Sequence, residues 1–233
     1  MDTLKINYFP GHMVTALRMI STELKLCDVI IYVLDARAPK STMNPKFEDF
    51  TKRKSTIFIY NRGNIDVRKD RKKIIELIKQ KVNKPIIRAI VIGVTNVGKS
   101  TLINTLAGSS KTKVENRPGV TRTKQWVNVQ DNMWVLDTPG VLWPDLTNQR
   151  IAKNLAYIGS IKDDVLDFVE LARCMFEDLK LGETLNEFCK RRGYLLKGGK
   201  LDLERGAKAI LTEFREGKLG FFDLDDINPC KKE

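Results

Sequence analysis

The chain has 233 residues, of which 42% are hydrophobic and 30% are charged, a composition typical of a globular protein with one large or two modest domains. No apolar run reaches the roughly 18 residues of a membrane-spanning helix, and no secretory leader is evident, so we expect a cytoplasmic protein without a membrane partner. Four widely spaced cysteines and a single histidine argue against a disulfide scaffold and against a zinc site.

The net charge of +12 is unevenly distributed along the chain. From Arg150 onward 16 basic residues balance 16 acidic ones, so the whole excess lies in residues 1–149. Such a field favours a polyanionic partner. Two local clusters stand out, Lys52-Arg53-Lys54 and the stretch from Arg68 to Lys84. Contact with nucleic acid and a solvated helix face explain them equally well.

Hydrophobic spacing predicts helices and strands in alternation through the first 150 residues. A helix is predicted from Met13 to Leu24, and a buried strand over residues 29–34 ends at Asp35. The remaining predicted elements are a strand at 56–60, a helix at 74–82, a strand at 86–92, and a hairpin formed by 127–129 and 134–136. This alternation predicts an α/β fold with a mainly parallel sheet.

The character of the sequence changes after Pro144, where only helical spacing remains. Helices are predicted at 165–179, at 185–193 and at 203–217. We therefore predict two domains, an α/β domain at 1–150 and a small all-helical domain at 151–233.

The segment GVTNVGKS, residues 93–100, fits the phosphate-binding loop (P-loop) pattern G-x-x-x-x-G-K-[ST]. A predicted strand precedes it and a helix follows, which is the context that the pattern requires. Gly93 and Gly98 let the backbone wrap so that its N–H groups face phosphate oxygens. Lys99 is expected to reach the β- and γ-phosphates, and Ser100 to ligate Mg²⁺.

Two further segments follow in the order typical of a nucleotide switch. VLDTPG, residues 135–140, ends an apolar strand in Asp137, which can hold Mg²⁺ through water, and the Gly140 N–H can meet the γ-phosphate. Between this segment and the P-loop lies RPGVTRT, residues 117–123, in which Thr121 is expected to sense both Mg²⁺ and the γ-phosphate. Loss of that phosphate would release both loops.

The motif that reads the guanine base, Asn-Lys-x-Asp, is absent downstream of Gly140. Upstream, the apolar strand IFIYN ends in Asn61, where a circularly permuted chain would place the motif. The sequence resembles the circularly permuted ribosome-assembly GTPases of the RbgA/YlqF type. The segments that carry the resemblance are YFPGHM (8–13), DARAP (35–39), YN (60–61), GVTNVGKSTLIN (93–104), RPGVT (117–121), QW (125–126), LDTPGVLWP (136–144), GSIKD (159–163), KRRGYLLKGG (190–199) and FREGKLG (214–220).

This resemblance implies a permuted GTPase domain, a C-terminal helical RNA-binding domain, and action on the precursor of the large (50S) ribosomal subunit, whose RNA and proteins would be partners of a monomer. GTP and GDP are the implied nucleotides, with Mg²⁺ as cofactor through Ser100, Thr121 and Asp137. The predicted nucleotide contacts are Asn61, Thr95, Asn96, Val97, Gly98, Lys99, Ser100, Thr101 and Gly140. The predicted catalytic residues are His12, Lys99 and Thr121.

One region departs from the family pattern, because the sequence continues as NRGNID after the strand at 56–60. Only one helix fits before the strand at 86–92, so a stretch of the guanine pocket near residues 62–66 is shortened. A direct alignment would instead put Asn64 at the position of the base-reading Asp. Losing that carboxylate leaves guanine donors unpaired, which predicts weak and poorly base-selective binding.

Val141 follows DTPG where many GTPases have a glutamine that orients water, so another group must do this. The resemblance implies His12 for that role, the alternative being a surface or RNA contact. Asn96 is expected either to help hold a K⁺ ion or to shape the loop. Asp35 and Arg37 are expected to pair and brace the sheet, rather than to present Arg37 to RNA.

In the C-terminal domain a group of cations beside Tyr194 is suited to contacts with the ribosomal RNA backbone, although cations at a helix end also complement its dipole. The predicted RNA-binding residues are Lys190, Arg191, Arg192, Lys197 and Lys200. The leading hypothesis is a slow GTPase that gates docking on a pre-ribosomal particle. The alternatives are a non-catalytic RNA-binding assembly factor and a P-loop ATPase with relaxed base selectivity.

Overall fold

The computed structural model describes residues 6, 11–63, 65–108, 125–130, 132–143 and 148–227, with the His12 side chain left out. The chain divides into two compact units. One comprises Phe9–Asp145, and the other comprises Leu146–Glu233 together with Met1–Tyr8. Among the helices of these described ranges, none is both long and apolar enough to cross a bilayer.

A five-stranded sheet forms the centre of the first unit. Its strands are β1 (Val29–Asp35), β2 (Ser55–Asn61), β3 (Ile87–Ile92), β4 (Gln125–Gln130) and β5 (Met133–Asp137). They lie in the order β2-β1-β3-β5-β4, and all neighbours are parallel except β4, which pairs antiparallel with β5. The predicted mainly parallel sheet and the predicted hairpin are both confirmed.

The burial of each strand follows from its sequence. β1 is apolar throughout apart from Tyr32 and Asp35, and every one of its residues is buried, as expected for a strand inside a parallel sheet. β2 alternates instead, with Ile57, Ile59 and Asn61 buried and the residues between them exposed. This alternation fits the position of β2 at the edge of the sheet.

In the described part of this unit, five α-helices accompany the sheet: α1 (His12–Glu23), α2 (Pro39–Thr42), α3 (Glu48–Arg53), α4 (Arg71–Lys81) and α5 (Lys99–Ala107). The predicted first helix and the predicted helix before β3 are confirmed as α1 and α4. α4 buries Ile74, Ile75 and Ile78 and packs against β2, while α5 packs against β4 and β5. The sequence did not predict α2 and α3, because helices of four and six residues are too short to show a periodicity.

The chain order of these elements is that of a permuted domain. β1 and β2 precede β3 in sequence, although β3 carries the P-loop and lies beside β1 in the sheet. Within the described ranges α4 is the single helix between β2 and β3. The prediction that only one helix occupies this stretch is therefore confirmed.

The second unit contains four α-helices among its described residues: α6 (Gln149–Tyr157), α7 (Phe168–Asp178), α8 (Leu185–Arg191) and α9 (Leu203–Arg215). Each begins with a side-chain cap, and Thr184 forms a reciprocal capping box with Glu187 at α8. Gly206 permits the close packing of α8 on α9, because a Cβ there would lie 2.1 Å from the Cys189 sulfur. The predicted last three helices are confirmed, whereas α6 was not predicted.

Candidate functional site

The predicted nucleotide residues gather at one edge of the sheet. Four parallel strands end there, and their carboxyl ends deliver Asp35 from β1, Asn61 from β2, the P-loop from β3 and Asp137 from β5. Ligands of open α/β sheets bind at this edge, because the loops there converge where strand order reverses. The sheet topology thus brings together residues that are up to 102 positions apart.

The P-loop has the backbone conformation that its glycines predict. Gly93 has φ of 150°, and a Cβ at this residue would lie 2.5 Å from the carbonyl oxygen of Val33 on β1. Gly98 has φ of 102° and begins α5 as its N-cap. Asn96 has φ of 60°, a left-handed conformation that Asn tolerates better than most residues. The loop therefore closes over the end of β3 and leads directly into a helix N-terminus.

Asn61, at the end of the edge strand β2, braces this loop. Its buried side-chain amide donates a hydrogen bond to the Val97 carbonyl at 2.8 Å, and its side-chain oxygen accepts from the Arg62 backbone N–H. A Cβ on Gly98 would lie 2.5 Å from the Asn61 amide nitrogen, so these two residues fit only with glycine at 98. Asn61 is committed to the P-loop, and the chain turns away immediately afterwards at Arg62, whose φ is 67°.

The Lys99 amine lies inside the loop. Its Nζ donates a 2.6 Å hydrogen bond to the Val94 carbonyl, and only 6% of the residue is exposed. Burial lowers the pKa of Lys99 to about 8, while the nearby Asp137 carboxylate acts in the opposite direction. A phosphate in the loop would give this cation the compensating charge that it lacks.

Ser100 and Asp137 meet at the rim of the same loop. The Ser100 hydroxyl donates to Asp137 Oδ2 at 3.2 Å. The second oxygen, Oδ1, is buried and has no hydrogen-bond partner in the described part of the chain. Burial raises the pKa of Asp137 above its ordinary value, an effect partly offset by Lys99 and by the bond from Ser100. A buried carboxylate oxygen without a partner is a group that a cation would satisfy.

Gly140 brings the segment after β5 against the P-loop. A Cβ at Gly140 would lie 2.7 Å from the Thr95 Cα and 2.8 Å from its backbone nitrogen. The next residue, Val141, donates its N–H to the Gly93 carbonyl at 3.3 Å. The Gly140 backbone therefore lies directly beside the P-loop, at a distance that a residue with a side chain at position 140 would not allow.

A second group of residues fixes this segment from the other side, and the sequence did not reveal it. Asn44, which is buried, donates from its side-chain amide to the Val141 carbonyl at 2.8 Å and from its backbone to the Tyr32 hydroxyl at 2.6 Å. Leu142 donates its N–H to the Met13 sulfur of α1 at 3.4 Å. An Asn in a loop is usually a surface residue, so its type alone carries no sign of this role.

Asp35 and Arg37 form a buried pair. The guanidinium donates two hydrogen bonds to the carboxylate, at 2.9 Å and 2.8 Å, and the Arg37 backbone N–H adds a third at 3.0 Å. Both side chains are at most 3% exposed, so Arg37 is not available to an external polyanion. The predicted bracing pair is confirmed.

The remaining predicted site residues fall into two groups. Val97 is buried in the loop and Thr101 lies in the first turn of α5. Thr121 lies outside the described residues, and so does the His12 side chain, although the His12 backbone opens α1.

The five predicted RNA-binding residues of the second unit differ in their surroundings. Arg191 pairs with Glu183 at 2.6 Å, Arg192 pairs with Glu213 at 3.0 Å, and both guanidinium groups lie over the Phe188 ring. The three lysines, Lys190, Lys197 and Lys200, are exposed. Lys197 and Lys200 flank a tight turn in which Gly198 and Gly199 both have positive φ, closed by a 2.7 Å bond from Leu196 N–H to the Lys200 carbonyl.

The fold and the loop geometry define a P-loop GTPase domain with permuted strand order. In agreement, the sequence model of the family described as "50S ribosome-binding GTPase" matches residues 88–196. The chain is 34% identical to Ribosome biogenesis GTPase A of Priestia megaterium, over 98% of this chain and 99% of the relative. It is 31% identical to Ribosome biogenesis GTPase A of Thermotoga maritima, over 98% of each chain.

Solved structures agree with these sequence comparisons. The GNP-bound YlqF of Thermotoga maritima superposes with a TM-score of 0.64 at 27% identity, covering 91% of this chain and 100% of that one. A GDP-bound structure of TM YlqF gives a TM-score of 0.63 and covers 87% and 96%, respectively. The chain therefore belongs to the Ribosome biogenesis GTPase A (RbgA/YlqF) family.

The relatives contain segments that this chain lacks. The alignment with the Priestia megaterium relative runs over 286 positions, although the chain has only 233 residues. At least 53 positions of that relative thus have no counterpart here. For the Thermotoga maritima relative the alignment runs over 259 positions, which leaves at least 26.

Proposed function

We propose that this chain is a GTP-binding assembly factor of the large ribosomal subunit that hydrolyses GTP slowly and docks on its target in a nucleotide-dependent way. The observation that carries the proposal is the arrangement of buried Lys99 and Asp137 with half-buried Ser100 at the mouth of a backbone cradle, in a chain of the Ribosome biogenesis GTPase A family. Such an arrangement serves to hold a triphosphate and its metal.

The residues at the rim fit Mg²⁺. This ion prefers hydroxyl and carboxylate oxygens and retains several waters, and the unpartnered Oδ1 of Asp137 beside the Ser100 hydroxyl supplies such oxygens. Bound Mg²⁺ usually takes its remaining ligands from substrate phosphates and water. When bound, Mg²⁺ neutralises charge on the phosphates. Thr121 is the proposed third protein contact.

The group that orients the attacking water must come from outside the DTPG segment, because Val141 is apolar and fully buried. We assign this role to His12, acting once the ribosomal particle has arranged the loops. The support is positional: Met13, the next residue, accepts a hydrogen bond from Leu142 N–H, so the first turn of α1 lies against the segment that follows Gly140. Intrinsic turnover should be low, as in GTPases without a group supplied in trans.

Asn96 is the residue through which K⁺ would act. It belongs to the P-loop and has φ of 60°, and its side-chain oxygen could help to hold a K⁺ ion, whose charge would stabilise the negative charge that develops during hydrolysis. If hydrolysis is equally fast in K⁺ and in Na⁺, Asn96 serves only to shape the P-loop backbone.

The helical unit is the proposed RNA-binding module, with Lys190, Lys197 and Lys200 as direct phosphate contacts. Arg191 and Arg192 would have to exchange their half-buried carboxylate partners, Glu183 and Glu213, for phosphate, and ion pairs at the surface are weak enough to allow this. The protein is expected to act as a monomer in the cytoplasm.

Nucleotide-dependent co-sedimentation with purified ribosomal subunits tests the proposal as a whole. We expect the chain to pellet with the large subunit in the presence of a non-hydrolysable GTP analogue and to be released with GDP. A chain that sediments equally under both conditions would be a non-catalytic RNA-binding factor. A chain that does not sediment at all would refute the ribosomal assignment.

A second candidate is a P-loop NTPase with relaxed base selectivity. It is favoured by the commitment of Asn61 to the Val97 carbonyl and by the turn at Arg62, which leaves no described carboxylate to follow β2 at the base position before Asp66. The relatives contain positions that have no counterpart in this chain, which supports a guanine pocket that is shortened here. Calorimetry with GTP and ATP analogues separates the candidates: similar affinities support relaxed selectivity, whereas strong preference for GTP supports the first proposal unchanged.

A further inference from the structure

The outer face of the edge strand β2 presents two aromatic rings to solvent. Phe58 is 40% exposed and Tyr60 is 37% exposed, and they stand at alternate positions, so both rings project from the same face of the strand. At about 3.3 Å per residue their Cα atoms lie roughly 7 Å apart. Exposed aromatic residues in pairs are unusual on a surface that has no partner.

The Phe58 ring is held in place from behind. It contacts the ring of Tyr32 on β1 with centroids 5.6 Å apart, and Tyr32 in turn meets Phe47 edge-on at the same separation. Phe47 stacks on Phe50 of α3 at 6.0 Å. This row of ring contacts restrains Phe58, while 40% of the residue stays exposed, so a ligand that stacks on it meets a preorganised ring.

The backbone beside these rings is also open. β2 pairs with β1 along one edge, and among the described residues its other edge has only an isolated bridge between Asn61 and Ile65. The sequence resemblance would place a further helix and a further strand after Asn61, and this chain has α4 alone between β2 and β3. Within the described ranges, the N–H and C=O groups of β2 that point away from β1 therefore have no strand partner beside the aromatic pair.

Cations lie at both ends of the strand. Lys52 and Arg53 end α3 shortly before β2 and are exposed. Arg62 follows β2 with a side chain that is 35% exposed and whose Nε lies 3.9 Å from the Asp35 carboxylate, so Arg62 would share its charge between that carboxylate and a phosphate. Lys52 pairs with Glu48 at 2.6 Å, but this bridge is on the surface and easily exchanged. Positive charge flanking a pair of exposed rings is the pattern that binds single-stranded nucleic acid.

We propose that the outer face of β2 is a binding surface for single-stranded RNA, on which two successive bases stack on Phe58 and Tyr60 while Lys52, Arg53 and Arg62 meet the backbone phosphates. The open strand edge offers hydrogen bonds to ribose hydroxyls and to base edges. This surface belongs to the sheet unit and is separate from the lysines of the helical unit. It rests on the proposed function only in that ribosomal RNA would be the natural source of the strand.

The charge distribution disfavours a second copy of the chain as the occupant. Antiparallel pairing of β2 with β2 of another molecule would set Lys52 and Arg53 of each copy near Arg62 of the other. Like charges brought opposite each other across paired strands are destabilising, and this is a recognised protection of edge strands against self-association. A polyanion meets no such repulsion.

Fluorescence anisotropy with a labelled single-stranded oligouridine tests the inference on the full chain. We expect the double variant Phe58→Thr/Tyr60→Thr to weaken binding by on the order of tenfold or more for each ring removed, because every stacked base loses its platform. Threonine keeps the β-propensity of the strand. Trp134→Thr is the matched control, since Trp134 is also 40% exposed but lies on β5; it should bind as the wild type does.

Phe58→Leu covers the case in which the double variant fails to fold, because leucine retains the apolar contact with Tyr32 and removes only the ring. It should weaken oligouridine binding while GTP-analogue binding, measured in parallel, stays unchanged. Wild-type affinity for oligouridine in the aromatic variants would overturn the inference. It would also be overturned if Lys197→Ala/Lys200→Ala were the only variant that lost oligouridine binding. If the wild type were a dimer in solution and the aromatic variants were monomers with unchanged RNA affinity, the occupant of this surface would be a second copy of the chain.

The same variants separate this inference from the proposed function. If the aromatic variants bind oligouridine normally and the wild type still co-sediments with large subunits, only the RNA surface is refuted. If the wild type fails to co-sediment with any nucleotide, the ribosomal assignment fails whatever the oligouridine result.

Discussion

At the scale of single residues, the site is defined by polar groups that the fold buries without satisfying them fully. Among the described residues, Lys99 has a carbonyl partner and no ion pair with a carboxylate, and Asp137 keeps one oxygen without a hydrogen-bond partner. Both arrangements cost stability in the nucleotide-free protein. Because the bound phosphates and metal would remove these costs, ligand binding should stabilise the fold appreciably.

The pKa of Lys99 gives nucleotide binding a defined pH dependence. Burial lowers this pKa to about 8, and a triphosphate favours the charged amine, so binding takes up a proton above that pH. We expect the affinity for a GTP analogue to be nearly constant below pH 7 and about tenfold weaker at pH 9. Fluorescence titration at both pH values checks this. Lys99→Arg, which stays charged, should show no such change between the two pH values.

If His12 has the proposed role, substitutions of His12 and of Lys99 should affect hydrolysis and nucleotide binding differently. His12→Ala should lower ribosome-stimulated hydrolysis by a factor of 10² to 10⁴, in the range typical of a lost general base, without weakening nucleotide binding. Lys99→Ala should abolish both. Single-turnover hydrolysis and equilibrium binding measure the two properties. Unchanged stimulated hydrolysis in His12→Ala would leave His12 as a surface or RNA-contacting residue.

At the scale of elements, the loops of the site are held by contacts between segments that are distant in sequence. Asn44, in the connection between α2 and α3, bonds the Val141 carbonyl, and Asn61 at the end of β2 bonds the Val97 carbonyl. Asn61 lies beside the P-loop because parallel strands deliver their carboxyl ends to one edge, whereas Asn44 reaches Val141 from a connection between two helices. The Asn61 amide thus fixes the backbone of the P-loop, and the Asn44 amide fixes the backbone of the segment after Gly140.

Removing the Asn44 amide should loosen the segment after Gly140. Asn44→Ala leaves the buried Val141 carbonyl without this partner, and we expect a loss of about 1–3 kcal/mol in the free energy of unfolding, seen by urea denaturation. GTP hydrolysis should fall as well, since the segment carries Gly140. Thr184→Ala is a suitable control: it removes a helix cap in the other unit at a cost of about 1 kcal/mol and should leave hydrolysis intact.

At the scale of the whole molecule, charge separates the two parts of the sequence. Residues 1–149 carry the entire excess of +12, while the remainder is balanced. On α4 the exposed lysines Lys72, Lys73 and Lys79 form no ion pair with any carboxylate in the described ranges. A polyanion approaching the protein is therefore attracted mainly to the first part of the chain.

This asymmetry predicts which lysines control the salt dependence of RNA binding. Lys72→Glu/Lys73→Glu should weaken binding to a ribosomal RNA fragment more than Lys197→Glu/Lys200→Glu does, and should flatten the slope of log affinity against log salt more strongly. Titrations between roughly 50 and 200 mM KCl measure the slope. A larger effect of the C-terminal pair would show that the direct phosphate contacts proposed for the helical unit, and not the charge of residues 1–149, dominate the salt dependence.

The sequence by itself determined the class of fold, the permuted order and the family. Local signals suffice for these, since the P-loop glycines, the strand that precedes them and the DTPG segment each lie within a few consecutive residues. It also predicted the Asp35–Arg37 pair and the single helix between β2 and β3. Short helices such as α2 and α3 escaped prediction because they contain too few residues for a periodicity.

Only the tertiary structure decided which polar groups are satisfied and which surfaces remain open. The bonds from Asn61 to the Val97 carbonyl, from Asn44 to the Val141 carbonyl and from Ser100 to Asp137 join segments 36 or more positions apart. Within the described chain, these contacts leave the second oxygen of Asp137 without a partner. The exposure of Phe58 and Tyr60 likewise follows from the place of β2 at the sheet edge. Strand order sets these properties, and strand order is fixed by long-range packing, which no local stretch of sequence encodes.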